Sequence, residues 1–193
     1  MSFVEDKIAL TYDDVLLVPQ YSEVTSRTQV DLSVAFEPNC NLSVPVVSSP
    51  MDTITGANMA AMMFRMGGLG IIHRYNTVEQ QANLVKTSVK KGGFVTGAAV
   101  GVTGDYFERT QELVAAGASV ICIDVAHGHH CKVRDALTSL REVLGEDIHI
   151  MAGNVATLEA FNDLADWGAD SVRVGIGGGS ICSTRVQTGH GCP

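Results

Sequence analysis

Val120-Ile-Cys-Ile-Asp-Val-Ala126, then His127-Gly-His-His130, then the amphipathic run 131–144, then His149-Ile-Met-Ala-Gly153, read together as one strand–helix–strand unit. The first segment is short, apolar and rich in β-branched residues, and it ends in Asp124 and a polar turn. The second strand likewise gives way to Gly153-Asn154. Two such strands separated by a helix-length segment run parallel, because a tight antiparallel turn needs only a few residues.

The same alternation continues outward in both directions. Strands are expected at residues 44–49, 68–73, 95–101, 120–126, 149–153 and 171–176, with helices at 57–66, 77–89, 106–116, 131–144 and 158–167. Thr77 and Gln80 have the spacing of a capping box, and Ala116-Gly117 and Trp167-Gly168 read as helix ends. Each unit is about 25 residues long, which suits either a (β/α) barrel or a doubly wound sheet. The polar and glycine residues decide between them. Ser48-Ser-Pro-Met-Asp52, His73-Arg-Tyr-Asn76, the turn 124–130, Gly153-Asn154 and the loop 177–191 all follow strands. In a barrel these positions converge on one rim, whereas a doubly wound sheet gathers its ligand groups at one switch point. The first βα turn also lacks GxGxxG. A single α/β domain over 1–193 is therefore expected, a (β/α)8 TIM barrel of which about the first six strands are present. On this reading the barrel is C-terminally incomplete: a partial sequence, a truncated product, or a chain that needs a partner.

Composition narrows the function classes. With 193 residues, 46% of them hydrophobic and 18% charged, the chain can bury one sizeable core. A formal charge of -8 argues against nonspecific nucleic-acid binding but leaves room for a local phosphate pocket. No apolar run approaches the roughly 20 residues that span a bilayer, and the N-terminus lacks a signal-peptide core, so a cytoplasmic location is expected. The five cysteines are widely spaced without CxxC or zinc-type patterns, so reduced thiols are expected.

The chemistry points to the C-terminal loop. Gly175, Gly177, Gly178 and Gly179 follow the last strand and leave the backbone free to aim amides at an anion or carbonyls at a cation. Cys182 stands among them with Thr184 and Arg185 close in sequence, a hydroxyl and a cation that favour a nucleophilic thiolate. A passive cysteine in a glycine-rich connection is the competing reading. Cys40, Cys122 and Cys192 read as passive, and His127, His129, His130 and Cys131 fall short of a zinc set. Asp52 and Asp124 could be caps or salt-bridge partners, and Arg173 could be paired within its strand. Met59, Met62, Met63 and Met66 fall on a helix face and are expected in the core.

Ordered strings along the chain carry a resemblance: Leu10-Thr-Tyr-Asp-Asp-Val-Leu-Leu-Val-Pro19, Pro45-Val-Val-Ser-Ser-Pro-Met-Asp-Thr53, Gly67-Gly-Leu-Gly-Ile-Ile-His73, Gly97-Ala-Ala-Val-Gly101, Ile123-Asp-Val-Ala-His-Gly-His129, Ala152-Gly-Asn154 and Val174-Gly-Ile-Gly-Gly-Gly-Ser-Ile-Cys-Ser-Thr-Arg185. The chain resembles the IMP dehydrogenase/GMP reductase family, whose fold is a (β/α)8 barrel and whose members are usually homotetramers. The resemblance implies that Cys182 attacks C2 of a purine nucleotide 5'-monophosphate. In the dehydrogenase direction hydride leaves C2 of IMP for NAD and water releases XMP. In the reductase direction GMP loses ammonia and NADPH delivers hydride to give IMP. Thr184 matches the threonine that handles the proton of water or ammonia. Ser49 and Met51 match nucleotide-facing residues, and Ser180 the serine on the 5'-phosphate. Asp124, Asn154, Arg173 and Gly175 match positions at the substrate and nicotinamide. Gly177, Gly179 and Cys182 match positions whose backbone carbonyls hold potassium, an ion that carbonyl dipoles suit.

The direction stays open. The strings 48–53, 81–86 and 97–101 are similar to dehydrogenases, and 26–32, 123–126 and 184–189 to reductases. The regulatory CBS pair that most dehydrogenases carry is absent, because Lys90-Lys-Gly-Gly-Phe94 joins a helix straight to the next strand. Arg74 stands where the family often has lysine, and His190 where it usually has a small apolar residue. The balance leans to the dehydrogenase, with the reductase and an inactive partial barrel acting as an interaction subunit as alternatives.

Overall fold

A computed structural model describes residues 10–36, 38, 40–177, 179 and 182–192. They fall into two units. Residues 32–174 form the larger, and the described residues up to Asp31 and from Gly175 onward form the smaller.

The larger unit begins with a hairpin, β1 (Val34–Phe36) and β2 (Cys40–Leu42), antiparallel with Ala35 opposite Asn41. Strands β3 (Val47–Ser48), β4 (Leu69–Ile72), β5 (Gly97–Val100), β6 (Val120–Asp124), β7 (His149–Val155) and β8 (Ser171–Val174) then pair in chain order as one parallel six-stranded sheet. Between them lie α1 (Ala57–Arg65), α2 (Val78–Lys90), α3 (Tyr106–Ala115), α4 (Cys131–Leu144) and α5 (Leu158–Asp166). A doubly wound sheet would reverse its strand order at a switch point, and this one never does. The architecture is that of a (β/α) barrel over its first six strands, as the sequence predicts.

Strand alternation sorts the core into two layers. Ile72, Ala98, Val100, Ile121, Ile123, Ile150 and Ala152 face the helices and meet Val85, Leu113, Leu137, Leu140 and Leu164. Leu69, Ile71, Ala99, Val120, Cys122 and Met151 face the other way and pack against Cys40 and Leu42 of the hairpin. Burying one such leucine or isoleucine contributes about 1.5–3 kcal/mol. Phe36 stacks on His149 at 4.1 Å, and His149 Nε2 lies 2.7 Å from Ser171 Oγ, so the hairpin is keyed to the starts of β7 and β8.

The expected helix boundaries hold within a residue. The Thr77 hydroxyl accepts from the Gln80 amide at 3.2 Å while the Gln80 side chain accepts from the Thr77 amide at 3.1 Å, a reciprocal capping box. Gly117 and Gly168 take φ of 104° and 103° just past α3 and α5, a left-handed turn that side chains resist. The strands are shorter than expected, except β7, which runs two residues beyond the expected 149–153. Val46 donates back to the Val44 carbonyl at 2.8 Å, so β3 begins only at Val47, and Gly175 with φ 117° turns the chain out of β8.

The methionines correct the sequence reading. Met59, Met62 and Met66 are exposed, by 41%, 47% and 70%, and the packing face of α1 is Ala57, Ala60 and Ala61 instead. The cause is Gly70: a Cβ there would come within 2.4 Å of Ala60 Cα, so helix and strand lie too close for large residues between them.

Two further devices fix the ends of the sheet. Arg141 donates to the carbonyls of Gly168 (2.8 Å) and Gly145 (2.8 Å) and to Asp170 Oδ2 at 2.6 Å, and that carboxylate also accepts from the Ile150 amide. At the opposite end, buried Gln81 donates to the Ala99 carbonyl at 2.8 Å and accepts from Arg109 Nη1 at 2.7 Å. Two substitutions test this packing by urea unfolding. Gly70→Ala is expected to lose at least about 2 kcal/mol, through overpacking against backbone. Met62→Ala is expected to change stability by no more than about 0.5 kcal/mol; a core-sized loss at Met62 would contradict the exposed face.

Candidate functional site

Parallel register brings Asp124 of β6, Gly153 of β7 and Arg173 of β8 side by side at the strand ends. Cys122 and Met151, two residues earlier, belong to the interior layer, so by the period of two these residues share the concave face. Arg173 reaches across Gly153, and its Nη1 donates to Asp124 Oδ1 at 2.5 Å. Glycine is required beneath, because a Cβ at residue 153 would stand 2.6 Å from the Arg173 carbonyl oxygen. Burial works against the Arg173 charge, but Cys122 and Asp124 outweigh it and raise its pKa above the ordinary value. The alternative reading of Asp124 and Arg173 as ion-pair partners is realised in the structure, on the rim rather than inside the sheet.

Asn154 falls where the β7–β8 register shifts, a bulge that re-aims a side chain at the end of a strand. Its backbone ties two loops together. The Asn154 amide donates to the Val125 carbonyl (3.0 Å), the Val125 amide to the Gly153 carbonyl (3.0 Å), and the Gly128 amide to the Asn154 carbonyl (2.7 Å). The turn after β6 is thus held on the end of β7.

Ser48, the last residue of β3, and Ser49 after it line a cavity of about 260 Å³ together with Arg173, Ile71 and Met151. Their placement depends on Thr55, which the sequence reading did not single out. Fully buried, Thr55 Oγ1 donates to the Ser49 carbonyl at 2.6 Å and lies 2.9 Å from Ser48 Oγ. Its signal was a hydroxyl directly before a helix, in the same turn as Ser49-Pro50-Met51. Met51 is 46% exposed and does not line this cavity. Asp52 accepts from the amide of Thr53 within the turn before α1, whose N-cap is Gly56.

The smaller unit holds the cysteine loop. The Cys182 amide donates to the Gly179 carbonyl at 3.0 Å, and the short helix α6 (Thr184–Thr188) follows at once. The Cys192 amide donates to the Ile176 carbonyl at 2.9 Å, which brings the loop back on itself, and Arg185 lies between Gly177 and Gly191. Gly177 takes φ 74°. Cys182 is half-buried, and the hydroxyl and amide of Thr184, then Arg185, hold its thiol below the ordinary range. Cys122 is the opposite case: burial pushes its thiol up to about 12, with Arg173 opposing. Ser180, expected on a phosphate, lies outside the described residues.

His129 and His130, after β6, serve structure. His130 Nδ1 accepts from the Lys132 amide at 3.1 Å and caps α4, while His129 Nε2 lies 2.7 Å from Asp163 Oδ2. All five cysteines are free thiols. Among the described residues no helix is long and apolar enough to cross a membrane.

Alkylation by iodoacetamide across pH distinguishes the thiols. Cys182 is expected to react with a midpoint below that of an unstructured cysteine peptide, and Thr184→Val to move it upward more than Arg185→Gln does. Cys122 is expected to stay unmodified in the folded chain. A Cys182 midpoint equal to the peptide's would remove the case for an activated thiol.

Known proteins match this sequence along almost its whole length. The chain is 30% identical to an inosine-5'-monophosphate dehydrogenase of Nitrosopumilus maritimus over 98% of its length and 66% of the relative's. It is 37% identical to the enzyme of that name from Cryptosporidium parvum over 95% and 55%. A GMP reductase of Leishmania major is 27% identical over 95% and 64%. The chain thus spans less than two thirds of the length of these curated relatives. The archaeal alignment runs to 315 residues against a chain of 193, so it passes stretches of the relative with no counterpart here. Residues 9–193 match the family described as IMP dehydrogenase / GMP reductase domain, and the chain belongs to that family.

Proposed function

We propose that this chain is the nucleophile-bearing part of a purine nucleotide oxidoreductase that converts IMP to XMP with NAD. The observation that carries the reading is the thiol of Cys182, lowered by Thr184 and Arg185 in a loop directly after the strand that bears Arg173. Sulfur adds to the electron-poor C2 of the purine, because a thiolate is a strong nucleophile near neutral pH and a good leaving group afterwards. The C2 hydride then leaves, water attacks the resulting thioimidate, and the C–S bond breaks to release XMP. Thr184 takes the proton of that water.

NAD supplies the hydride acceptor. The strand-end residues suit its nicotinamide: Asp124 and Arg173 form a rigid polar pair, Asn154 stands beside them at the bulge, and Gly175 leaves the exit of β8 free of a side chain. Ser49 and Met51 face the nucleotide and Ser180 holds its 5'-phosphate. The carbonyls of Gly177, Gly179 and Cys182 suit potassium, since a weakly hydrated cation takes carbonyl dipoles in place of water and glycine lets them turn toward it. The full protein is proposed to be a cytoplasmic homotetramer acting on IMP, without membrane or nucleic-acid partners. The 193 residues are read as one barrel domain of this kind, and the short link of residues 91–96 between α2 and β5 supports a chain with no CBS pair inserted there.

A second reading is the reverse-type enzyme, GMP reductase with NADPH. It is favoured by Thr184-Arg-Val-Gln-Thr-Gly189, the segment that forms α6 and lowers the Cys182 thiol. A partial barrel that only binds a partner is the remaining alternative. Turnover of IMP with NAD and potassium, set against GMP with NADPH, separates them when the 193-residue chain and any longer form of the protein are assayed side by side. One pair is expected to turn over, with Cys182→Ala lowering kcat by about three orders of magnitude or more. Absence of both activities in folded protein would leave the binding role.

A further inference from the structure

Pro50 is the middle of a three-residue turn just past β3, closed by the Met51 amide on the Ser49 carbonyl at 2.8 Å. Proline suits that place, because its ring fixes φ near the value such a turn takes. A bond that closes so small a ring is bent and weak, and Pro50 brings no amide to add a second. Thr55 supplies the rest. Its hydroxyl donates to the Ser49 carbonyl at 2.6 Å, and its amide donates to the Met51 carbonyl at 3.0 Å. Its own carbonyl accepts from the amide of His73, the residue after β4, at 3.3 Å. One side chain and its backbone thus grip both ends of the turn and anchor them to the neighbouring strand.

Thr55 is fully buried and lines no part of the cavity that Ser48, Ser49 and Pro50 share with Arg173. A valine would fill the same space without the cost of taking a hydroxyl out of water, so what threonine adds is the bond to Ser49. The Ser49 carbonyl has two acceptor lone pairs, and the Met51 amide and the Thr55 hydroxyl take both. Rotation of the Ser49–Pro50 peptide is thereby blocked from two directions. The aim of the Ser49 side chain and the position of Met51 follow from it.

We propose that Thr55 is a positioning residue for nucleotide binding, a role that rests on the proposed function, in which Ser49 and Met51 face the nucleotide. Its hydroxyl holds those two residues in the arrangement that receives the ligand, and touches the ligand nowhere. Without the hydroxyl the turn has to be ordered at the moment of binding, and that ordering is subtracted from affinity.

The test is the affinity of the 193-residue chain for IMP and GMP, read by NMR at the amides of Ser49, Met51 and Thr55, with urea unfolding of each variant alongside. Thr55→Val is expected to weaken nucleotide binding by the folded chain about tenfold, and Thr55→Ser, which keeps the hydroxyl, to stay within about twofold of the wild type. Should Thr55→Val fail to fold, Thr55→Ala lacks the same hydroxyl and carries the same expectation. A role in stability alone would lower the urea midpoint and leave the affinity of the folded chain as it was. Unchanged affinity without the hydroxyl therefore overturns the positioning role while the substrate reading stands. Equal losses in Thr55→Ser and Thr55→Val also overturn it, because the hydroxyl is then not the group at work. A wild-type chain that binds neither nucleotide overturns the substrate reading, and the positioning role falls with it.

Discussion

The close approach of β7 and β8 at Gly153 is the constraint on which the rim depends. With no side chain at that position, the Arg173 backbone lies against the Gly153 Cα and the guanidinium reaches over β7 to Asp124. Any larger residue would push β8 away and break the ion pair. A similar logic operates at Gly70, where contact with Ala60 sets the distance between α1 and the sheet. Two glycines, one on each side of the sheet, thus set distances that side-chain packing alone would leave loose.

Polar residues inside this sheet are arranged as closed sets. Gln81 satisfies a strand carbonyl with its amide and a guanidinium with its oxygen, so Arg109 is held without an unpaired buried group. Arg141 does the same at the other end, donating to turn carbonyls and to Asp170. Arg74 departs from the pattern, and His73 beside it also keeps a buried Nδ1 without a partner. Both belong to the loop after β4, on the rim where the other departures from simple packing lie.

Much of this was legible in the sequence because its signals are periodic or local. The strand–helix alternation gave the parallel order, Thr77 and Gln80 gave a helix start, and Gly117 and Gly168 gave two helix ends. The hairpin over residues 34–42 escaped because three-residue strands carry no readable period. The methionines of α1 misled because helical spacing marks a face without saying which face turns inward; the decision lay with Gly70, on another element. At the candidate site, Asp124 at a strand end and Cys182 in the glycine loop stood out by residue type, whereas Arg173 came only with the resemblance. Thr55 and the Gln81–Arg109 contact did not stand out, since each acts through a partner distant in sequence or hidden in a backbone carbonyl.

Trp167 is the chain's one tryptophan, and it sits at the C-cap of α5, packed on the helix-side core with its ring 5.8 Å from that of His129. The molecule therefore carries an intrinsic optical reporter confined to the larger unit. Its emission follows the seating of α5 on the sheet, so the unfolding of this unit can be read from the protein itself without an added label.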